Sequence, residues 1–470
     1  MRVVLADPPK KEQAYHLDCC NLGIVYLIGY LRSRLKGVEV FYLEADCDLD
    51  GHLKKVAEYK PDLYGLSFTQ FSSSLSYRTI NAVKEGNPHL PIICGGPHPT
   101  AIPEQVFEKC GADLCVLGEG EETLLDLVRY YDGRSDKRLE EIEGIAFVRG
   151  NKIVRTPRRP LIKDLDTIPH PAWDVIDFSR YLGIHLKKAS PQTYVLASRG
   201  CPFDCSFCSN PVWRCNTPWV RLRSPKNIAE EIDLLYERGV REIYLAADEF
   251  NVNLDWAIAV CNELAGLNYK DLYFQCNLRA DKVSDELVRS LESMNCWLVH
   301  VGIESGNQRV LDGIGKKITL EGVVDACKML REYGIKVYAF MMLYQVWEEG
   351  GKLCWETQEE VDNTIAFTRK LFSQGLINYM SWQFATPTPG ARLWDIAKKH
   401  NLMIPNKDID SVRQITMDIP GISKRRMERS MKRGIILKNY YALRSGNIGW
   451  RHWQRIRENV ATLLTPISKG

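Results

Sequence analysis

Three cysteines within eight residues, Cys201-Pro202-Phe203-Asp204-Cys205-Ser206-Phe207-Cys208, constrain this chain more than any other feature. A C-x3-C-x2-C loop can aim three thiolates at one point, as an iron–sulfur cluster requires. Four cysteines complete a [4Fe–4S] cube; three leave one iron open to a substrate or cofactor. The loop follows a strand-like run at 193–197 and a turn, Ser198-Arg199-Gly200. Phe207, between the last two cysteines, can shield a cluster from water. Zinc is the alternative, but it wants four ligands and commonly draws them from paired short spacings. Cys215 can supply a fourth, yet no second C-x2-C pair or nearby His completes the set.

At 470 residues the chain exceeds one ordinary core, so two or three domains are expected. Apolar content of 45% and charged content of 26% fit a soluble globular protein. The net charge, 62 − 59 = +3, makes no global case for nucleic acid. No apolar run reaches membrane-span length, and Met1-Arg2-Val3-Val4-Leu5 opens into a strand rather than a signal peptide. Fifteen cysteines in that context point to a reducing, cytoplasmic setting, where they stay thiols or bind metal.

Residues 1–140 alternate short apolar strands (2–6, 38–43, 63–68, 91–94, 113–117) with amphipathic, helix-length segments. That pattern argues a doubly wound parallel sheet, with functional loops at the C-terminal strand ends. Those loops are Asp7-Pro8-Pro9, Ser67-Phe68-Thr69, Gly95-Gly96-Pro97-His98-Pro99-Thr100 and Gly118-Glu119-Gly120-Glu121-Glu122-Thr123. Paired glycines let a backbone approach a bulky ligand closely. Residues 141–190 read as a small hairpin across Arg149-Gly150 and then a proline-rich strap pinned by Leu161, Ile162, Leu165, Ile168 and Trp173. A second alternation fills residues 191–400, with six strand-like runs beginning just before the cysteines. It suggests a partial (β/α)6 barrel whose chemistry belongs at the C-terminal strand ends. Residues 401–470 are helical in propensity. Their basic run (Lys424 to Arg457) and the interleaved Trp450 and Trp453 read as a solvated helix face packed on the barrel rather than a nucleic-acid surface.

The C-x3-C-x-aromatic-C loop after a first strand resembles the signature of the radical S-adenosylmethionine (radical SAM) enzymes. The resemblance implies that Cys201, Cys205 and Cys208 hold a [4Fe–4S] cluster whose open iron chelates SAM, and that reduction yields a 5′-deoxyadenosyl radical. The L-A-D-P-P, G-G-P-H-P-T and G-E-G-E-E-T segments are similar to the cobalamin (B12)-binding domain that precedes many radical SAM domains. The resemblance implies a cobalamin site at Asp7, Pro8, Ser67, Thr69, Gly95, Gly96, His98, Gly118, Glu119 and Gly120, where a bulky side chain at Gly95 or Gly96 should obstruct entry. The Asp-x-His-x-x-Gly loop of many cobalamin proteins is missing. Its nearest string, Asp50-Gly51-His52-Leu53-Lys54-Lys55, lacks the glycine and sits elsewhere in the fold, so cobalt is expected to lack a protein imidazole.

Within the second region, Asp248 and Glu249 end the second strand and resemble the motif that holds the SAM amino group, although its usual glycines are absent. Arg279 ends the third strand and can pair the SAM carboxylate. Gly302-Ile303-Glu304-Ser305-Gly306 ends the fourth and resembles the G-I-E-S-G of cobalamin-type radical SAM proteins, which implies SAM contacts for Glu304 and Ser305. Lys316 fits the same pattern in a stabilising role. The usual compact G-x-P-G-E-T turn is replaced by an insertion through residues 345–355, from which only Glu356-Thr357 matches; Tyr344, Trp347 and Trp355 are expected to wall a substrate pocket there.

The sequence is thus identified as an α/β member of that group. Its expected parts are a Rossmann-like B12-type domain (1–140), a linker strap (141–190), a partial radical SAM barrel (191–400) and a small helical cap (401–470). The resemblance implies cobalamin-dependent methylation of an unactivated carbon. Alternatives are a cyclisation, rearrangement or carbon–carbon coupling, and then a cluster-bearing nucleic-acid-binding or regulatory protein. Implied partners are a small-molecule or peptide substrate and an electron donor such as flavodoxin or ferredoxin. No residue can be named as the catalytic acid or base.

Overall fold

The structure is a computed structural model that describes residues 1–9, 19–181, 186–405, 407–409 and 411–444. The basic-aromatic residues Trp450, Arg451, Trp453, Arg455 and Arg457 lie outside them. Two compact units emerge: residues 1–200 with 210–243, and residues 201–209 with those from 244 onward.

The first unit is built on a seven-stranded sheet. Its strands are β1 (Arg2–Ala6), β2 (Glu39–Leu43), β3 (Leu63–Ser67), β4 (Ile92–Gly95), β5 (Leu114–Val116), β6 (Ile145–Arg149) and β7 (Lys152–Arg155), in the order β2-β1-β3-β4-β5-β6-β7. The first five pair in parallel. Their residues are buried on both faces, so the runs read as nearly continuous apolar segments: Val4, Tyr64, Leu66, Ile92, Cys94 and Cys115 share one core. The order reverses direction between β1 and β3, which opens a crevice at their C-terminal ends. Asp7, Ser67 and Gly95 stand at the ends of β1, β3 and β4, as the alternation predicts. The hairpin expected in the linker is β6–β7. It joins the first sheet antiparallel to β5 rather than standing apart. In the strap, Leu161, Leu165, Ile168 and Trp173 are buried, and Trp173 Nε1 donates to Glu231 at 3.0 Å.

Strand β8 (Gln192–Leu196) leads to a short ladder of β9 (Ser198–Arg199) with β10 (Arg221–Leu222). A six-stranded sheet then runs β17-β14-β13-β12-β11-β8, where β11 is Glu242–Ala246, β12 Tyr273–Leu278, β13 Cys296–Glu304, β14 Lys336–Leu343 and β17 Tyr379–Phe384. Strand β11 begins in the first unit and ends in the second. The strands are neighbours in chain order with a helix between most of them, the arrangement of a partial (β/α) barrel. Capping starts several of those helices. Ser224 accepts from Asn227 N with Pro225 at the first helical position, and Thr357 forms a capping box with Glu360.

The insertion after β14 is a hairpin of β15 (Val346–Glu349) with β16 (Lys352–Trp355). Two of the three aromatics expected to wall a pocket are instead buried in the protein. Tyr344 is 0% and Trp347 2% exposed. Tyr344 donates its hydroxyl hydrogen within a set that includes Gln358 and Ser430, and Trp347 fills the space that a side chain at Gly313 would need. Trp355 is half-buried. The basic C-terminal stretch forms the helix Lys424–Arg444, which packs so closely on β17 that a Cβ at Gly434 would meet Trp382 at 2.8 Å. No helix among the described residues is long and apolar enough to cross a membrane.

Candidate functional site

The cysteine loop is held by its backbone. Ser206 N donates to Ile314 O at 2.8 Å, Leu393 N to Ser206 O at 2.7 Å, and Cys208 N to Cys205 O at 3.1 Å. All three thiols are half-buried. Burial pushes the Cys201 thiol up to about 12, with Glu249, Asp248 and Cys208 adding to the effect. Burial also raises Cys205, against the opposing charges of Lys316 and Arg279. Among the described residues, no three His, Cys, Asp or Glu side chains are grouped to hold a single metal ion. In a [4Fe–4S] cube each cysteine takes a different iron, so a one-ion cage is not what this loop would make. Phe207 is half-buried beside the last thiol. Three thiols on one backbone-braced turn, with cations nearby to offset thiolate charge, fit such a cluster.

Around this loop stand the ends of β11, β12 and β13. Glu304 has φ +65° and is 5% exposed. A non-glycine residue in that region costs about 1–3 kcal/mol and marks functional geometry. Its Oε1 lies 3.3 Å from Lys316 Nζ, while Oε2 is buried without a hydrogen-bond partner among the described residues. Burial raises its carboxyl, and Lys316 opposes that shift. Gly302 makes the pair possible: a Cβ there would overlap Glu304 Oε1 and come within 2.6 Å of Lys316 Nζ. Glu249 is half-buried and raised by burial, with Lys316 and Arg279 opposing; Asp248 is exposed. Carboxylates beside a cysteine loop can take a ligand's ammonium or hydroxyl groups. Glu304→Ala should keep normal iron content and weaken SAM binding about tenfold to a hundredfold, the worth of a charge-assisted hydrogen bond. Gly302→Ala should do the same by displacing the pair. Equilibrium SAM binding beside an iron assay checks both, and iron loss in either would put this strand end in the cluster's support instead.

Two expected SAM contacts are engaged elsewhere. Ser305 is 0% exposed, and its hydroxyl lies 3.1 Å from Thr364 Oγ1 and 3.4 Å from Glu356 Oε1. It braces the loop from behind, and Gly306 lets the helix Gln358–Ser373 approach, since a Cβ there would meet Phe367 at 2.7 Å. Arg279, 2% exposed, stacks on Phe203 with its guanidinium carbon 3.6 Å from the ring centroid. Its Nη2 donates to the carbonyls of Lys316 and Lys317.

Glu356, which the sequence singled out only as a remnant of a turn, is a buried hub. It accepts from Tyr344 N at 2.6 Å and from Thr364 Oγ1 at 3.2 Å. Burial pushes its carboxyl up to about 7 from 4.5, against the hydrogen bonds of Gln345, Tyr344 and Thr364. The folded protein therefore holds this proton more tightly than the unfolded chain. The stability it contributes is complete below pH 4.5 and lost as pH rises to about 7. Melting temperatures of wild type and Glu356→Gln should diverge between about pH 5 and pH 8, the variant gaining roughly 2 °C or more at the upper end.

The first unit presents a ledge at its strand ends. A Cβ at Gly95 would meet no atom of the other described residues within 4 Å, its chain neighbours aside. Ser67 is half-buried and Thr69 exposed beside it. Gly96 differs: at φ +96° its Cβ would meet Phe68 O at 2.7 Å, so that glycine serves the packing of β3 against β4. Asp7 accepts from Tyr42 Oη at 2.5 Å and from Asn21 Nδ2 at 2.7 Å, and burial pushes its carboxyl up to about 6. Pro8 follows it, half-buried. His98 is 2% exposed, with Nε2 2.6 Å from Tyr77 Oη, Nδ1 sealed from solvent, and the Phe68 ring alongside. His52 is also buried, 2.8 Å from Tyr64 Oη. The ledge thus offers open backbone and hydroxyls, and His52 and His98 are turned to protein. A surface of open backbone and hydroxyls fits a broad cofactor such as cobalamin.

Gly118, at φ +98°, donates its N–H to Thr100, and Gly120 starts the helix Glu121–Tyr131. Glu119, expected at the cofactor, is spent on an ion network. Its Oε1 lies 2.8 Å from Arg199 Nη1 and 2.9 Å from Arg221 Nη1, and Oε2 accepts from Ile162 N at 3.0 Å. The two arginines hold its carboxyl below the usual range against the opposing effect of burial. The sequence carried no signal for this, because the partners lie 80 and 102 residues away.

Comparison with known proteins agrees with both halves. The B12 binding domain family model matches residues 14–128, and the Radical SAM superfamily model matches residues 195–350. An uncharacterized methyltransferase of Pyrococcus horikoshii is 31% identical over 413 residues, covering 86% of this chain and 84% of that one. The anaerobic magnesium-protoporphyrin IX monomethyl ester cyclase of Cereibacter sphaeroides is 29% identical over 422 residues, covering 82% of this chain and 66% of that one. In fold, the chain is like the cobalamin-dependent SAM radical enzyme OxsB solved with aqua-cobalamin and SAM: TM-score 0.72, 19% identity, 98% of this chain and 70% of that one. The chain belongs to the radical SAM superfamily, in the group that carries an N-terminal B12-binding domain.

Proposed function

We propose that the protein is a cobalamin-dependent radical SAM methyltransferase acting on an unactivated carbon. The observation that carries the reading is the pairing, in one chain, of a three-cysteine loop at a barrel mouth with an open glycine ledge beside which His52 and His98 are sealed. The bound groups supply reductive cleavage of SAM to a 5′-deoxyadenosyl radical and a methyl group from cobalamin. The chain's own residues hold and orient. Cys201, Cys205 and Cys208 anchor the cluster, and Phe207 limits water. Glu304, with Asp248 and Glu249, receives the polar groups of SAM. Gly95, Ser67 and Thr69 carry the corrin. On this reading residues 1–140 hold cobalamin, 141–190 form the strap, 191–400 handle SAM and 401–470 cap the barrel. A small-molecule or peptide substrate, a flavodoxin- or ferredoxin-type electron donor and a cytoplasmic setting complete it.

The test is anaerobic reconstitution with iron, sulfide, hydroxocobalamin, SAM and a low-potential reductant. Deoxyadenosine, methionine and S-adenosylhomocysteine are expected, with a product heavier by one methyl group. A second reading, radical cyclisation without methyl transfer, is favoured by the likeness to the cyclase. It predicts deoxyadenosine without S-adenosylhomocysteine and no methyl gain. Absence of deoxyadenosine from cluster-loaded protein would refute both.

A further inference from the structure

The third strand end holds a cation in an unusual place. Arg279 is held by its backbone, by one guanidinium nitrogen and by a ring, while its Nη1 is buried without a hydrogen-bond partner among the described residues. Its N–H donates to Asn251 Oδ1 at 2.9 Å, and Asn251 Nδ2 returns bonds to the carbonyls of Arg279 and Lys282 at 2.9 and 3.0 Å. Its Nε sits 2.7 Å from Asp281 Oδ1, and its Nη2 binds the carbonyls of Lys316 and Lys317. The guanidinium lies on the ring of Phe203, between Cys201 and Cys205, with Lys282 Nζ 5.7 Å from the same centroid. The carbonyl-bearing segment grips the cysteine loop by a second route: Ile314 O accepts from Ser206 N, and a Cβ on Gly315 would meet Asp204 O at 3.1 Å. Arg279 therefore closes a ring of contacts that runs through the cysteine loop and the 314–317 segment.

We propose that Arg279 is a positioning residue of the cluster loop, and that its buried charge favours the reduced cluster, rather than serving as the partner of the SAM carboxylate. A cation stacked on a ring is strongest where water is excluded, and only a planar guanidinium can stack and bind two carbonyls at once. One-electron reduction adds negative charge to the cluster, and a fixed positive charge nearby stabilises that state. Removing the charge should shift the potential down, and removing the stack should loosen the loop.

The inference rests on the cysteines holding a cluster, which a Cys205→Ala iron assay checks separately. Three single variants and one double variant, all loaded with cluster and free of SAM, test it. Arg279→Met should change the reduced-to-oxidised ratio at fixed poise about tenfold, equivalent to about 59 mV for one electron. Arg279→Lys should keep most of the potential but release iron to a chelator several-fold faster. Phe203→Leu should release iron at a similar rate, and the Arg279→Lys, Phe203→Leu double variant should be little worse than either single change, because both break one contact. If Arg279→Met does not fold, the double-variant comparison decides. The proposal is overturned if SAM-free Arg279→Met keeps the wild-type potential and iron retention while SAM affinity falls, the result required of a carboxylate ligand. Additive iron-loss rates for Arg279→Lys and Phe203→Leu would also overturn it.

Discussion

Single replacement of Cys201, Cys205 or Cys208 by Ala will take SAM cleavage to background and leave the protein short of iron. Cys110→Ala, Cys327→Ala and Cys19→Ala will keep both. The first three share one loop whose main chain is braced at Ser206 by Ile314 and Leu393. Cys327 is fully buried in the helix Leu320–Glu332, where burial pushes its thiol up to about 12. Its loss removes a small apolar group and costs about 1 kcal/mol of packing without touching the cluster. Cys110 caps the helix Pro103–Lys109 in the first unit, and Cys19 precedes the helix Leu22–Arg34. Iron and sulfide content, the visible absorption of the reconstituted protein, and deoxyadenosine formation check the set. Full SAM cleavage by Cys205→Ala would sink the cluster assignment, and loss of iron in Cys327→Ala would extend it to a residue with no place in that loop.

Gly95→Trp will abolish cobalamin retention and methyl transfer while leaving the iron content and the melting temperature near wild type. A Cβ at Gly95 would meet no side chain or backbone of the other described residues within 4 Å, so a side chain added there projects into the ledge where the corrin is expected. Gly96, equal to Gly95 in the sequence, behaves differently. Its positive φ and the 2.7 Å approach to Phe68 O mean that even Ala forces β3 and β4 apart. That change should lower stability by about 1–2 kcal/mol from the backbone conformation alone. Cobalamin absorbance after gel filtration, beside thermal unfolding, separates the two. Electron paramagnetic resonance of Co(II)-loaded protein should show no nitrogen coupling from the chain. Coupling that vanishes in a His98 variant would mean that the Tyr77 bond opens to free the imidazole, and the reading of an unligated cobalt would fall.

Much of the fold was legible because its signals are local. Alternating apolar strands and amphipathic segments need only the chain's own periodicity, and the parallel core strands match their expected positions within a residue or two. The cysteine loop was legible for the same reason, since its spacing lies within eight residues. The hairpin β6–β7 was legible as a hairpin, but its membership in the first sheet was not, because β5 and β6 pair across a helix and a long connection.

By itself the sequence determined the two alternating units, the strand ends where chemistry gathers, and the three thiols that mark one of them. These follow from periodicity, turn chemistry and short-range spacing. The tertiary structure decided what each polar group at those ends is for. Glu119 is occupied by arginines 80 and 102 residues away, Ser305 by a carboxylate 51 residues away, and Tyr344 and Trp347 by the packing of an inserted hairpin. It also separated Gly95, which leaves room for a ligand, from Gly96, which leaves room for a neighbouring strand. The physical reason is that a buried charge or hydroxyl is claimed by whichever partner folding brings within hydrogen-bond reach, and that distance is set by packing, not by position along the chain.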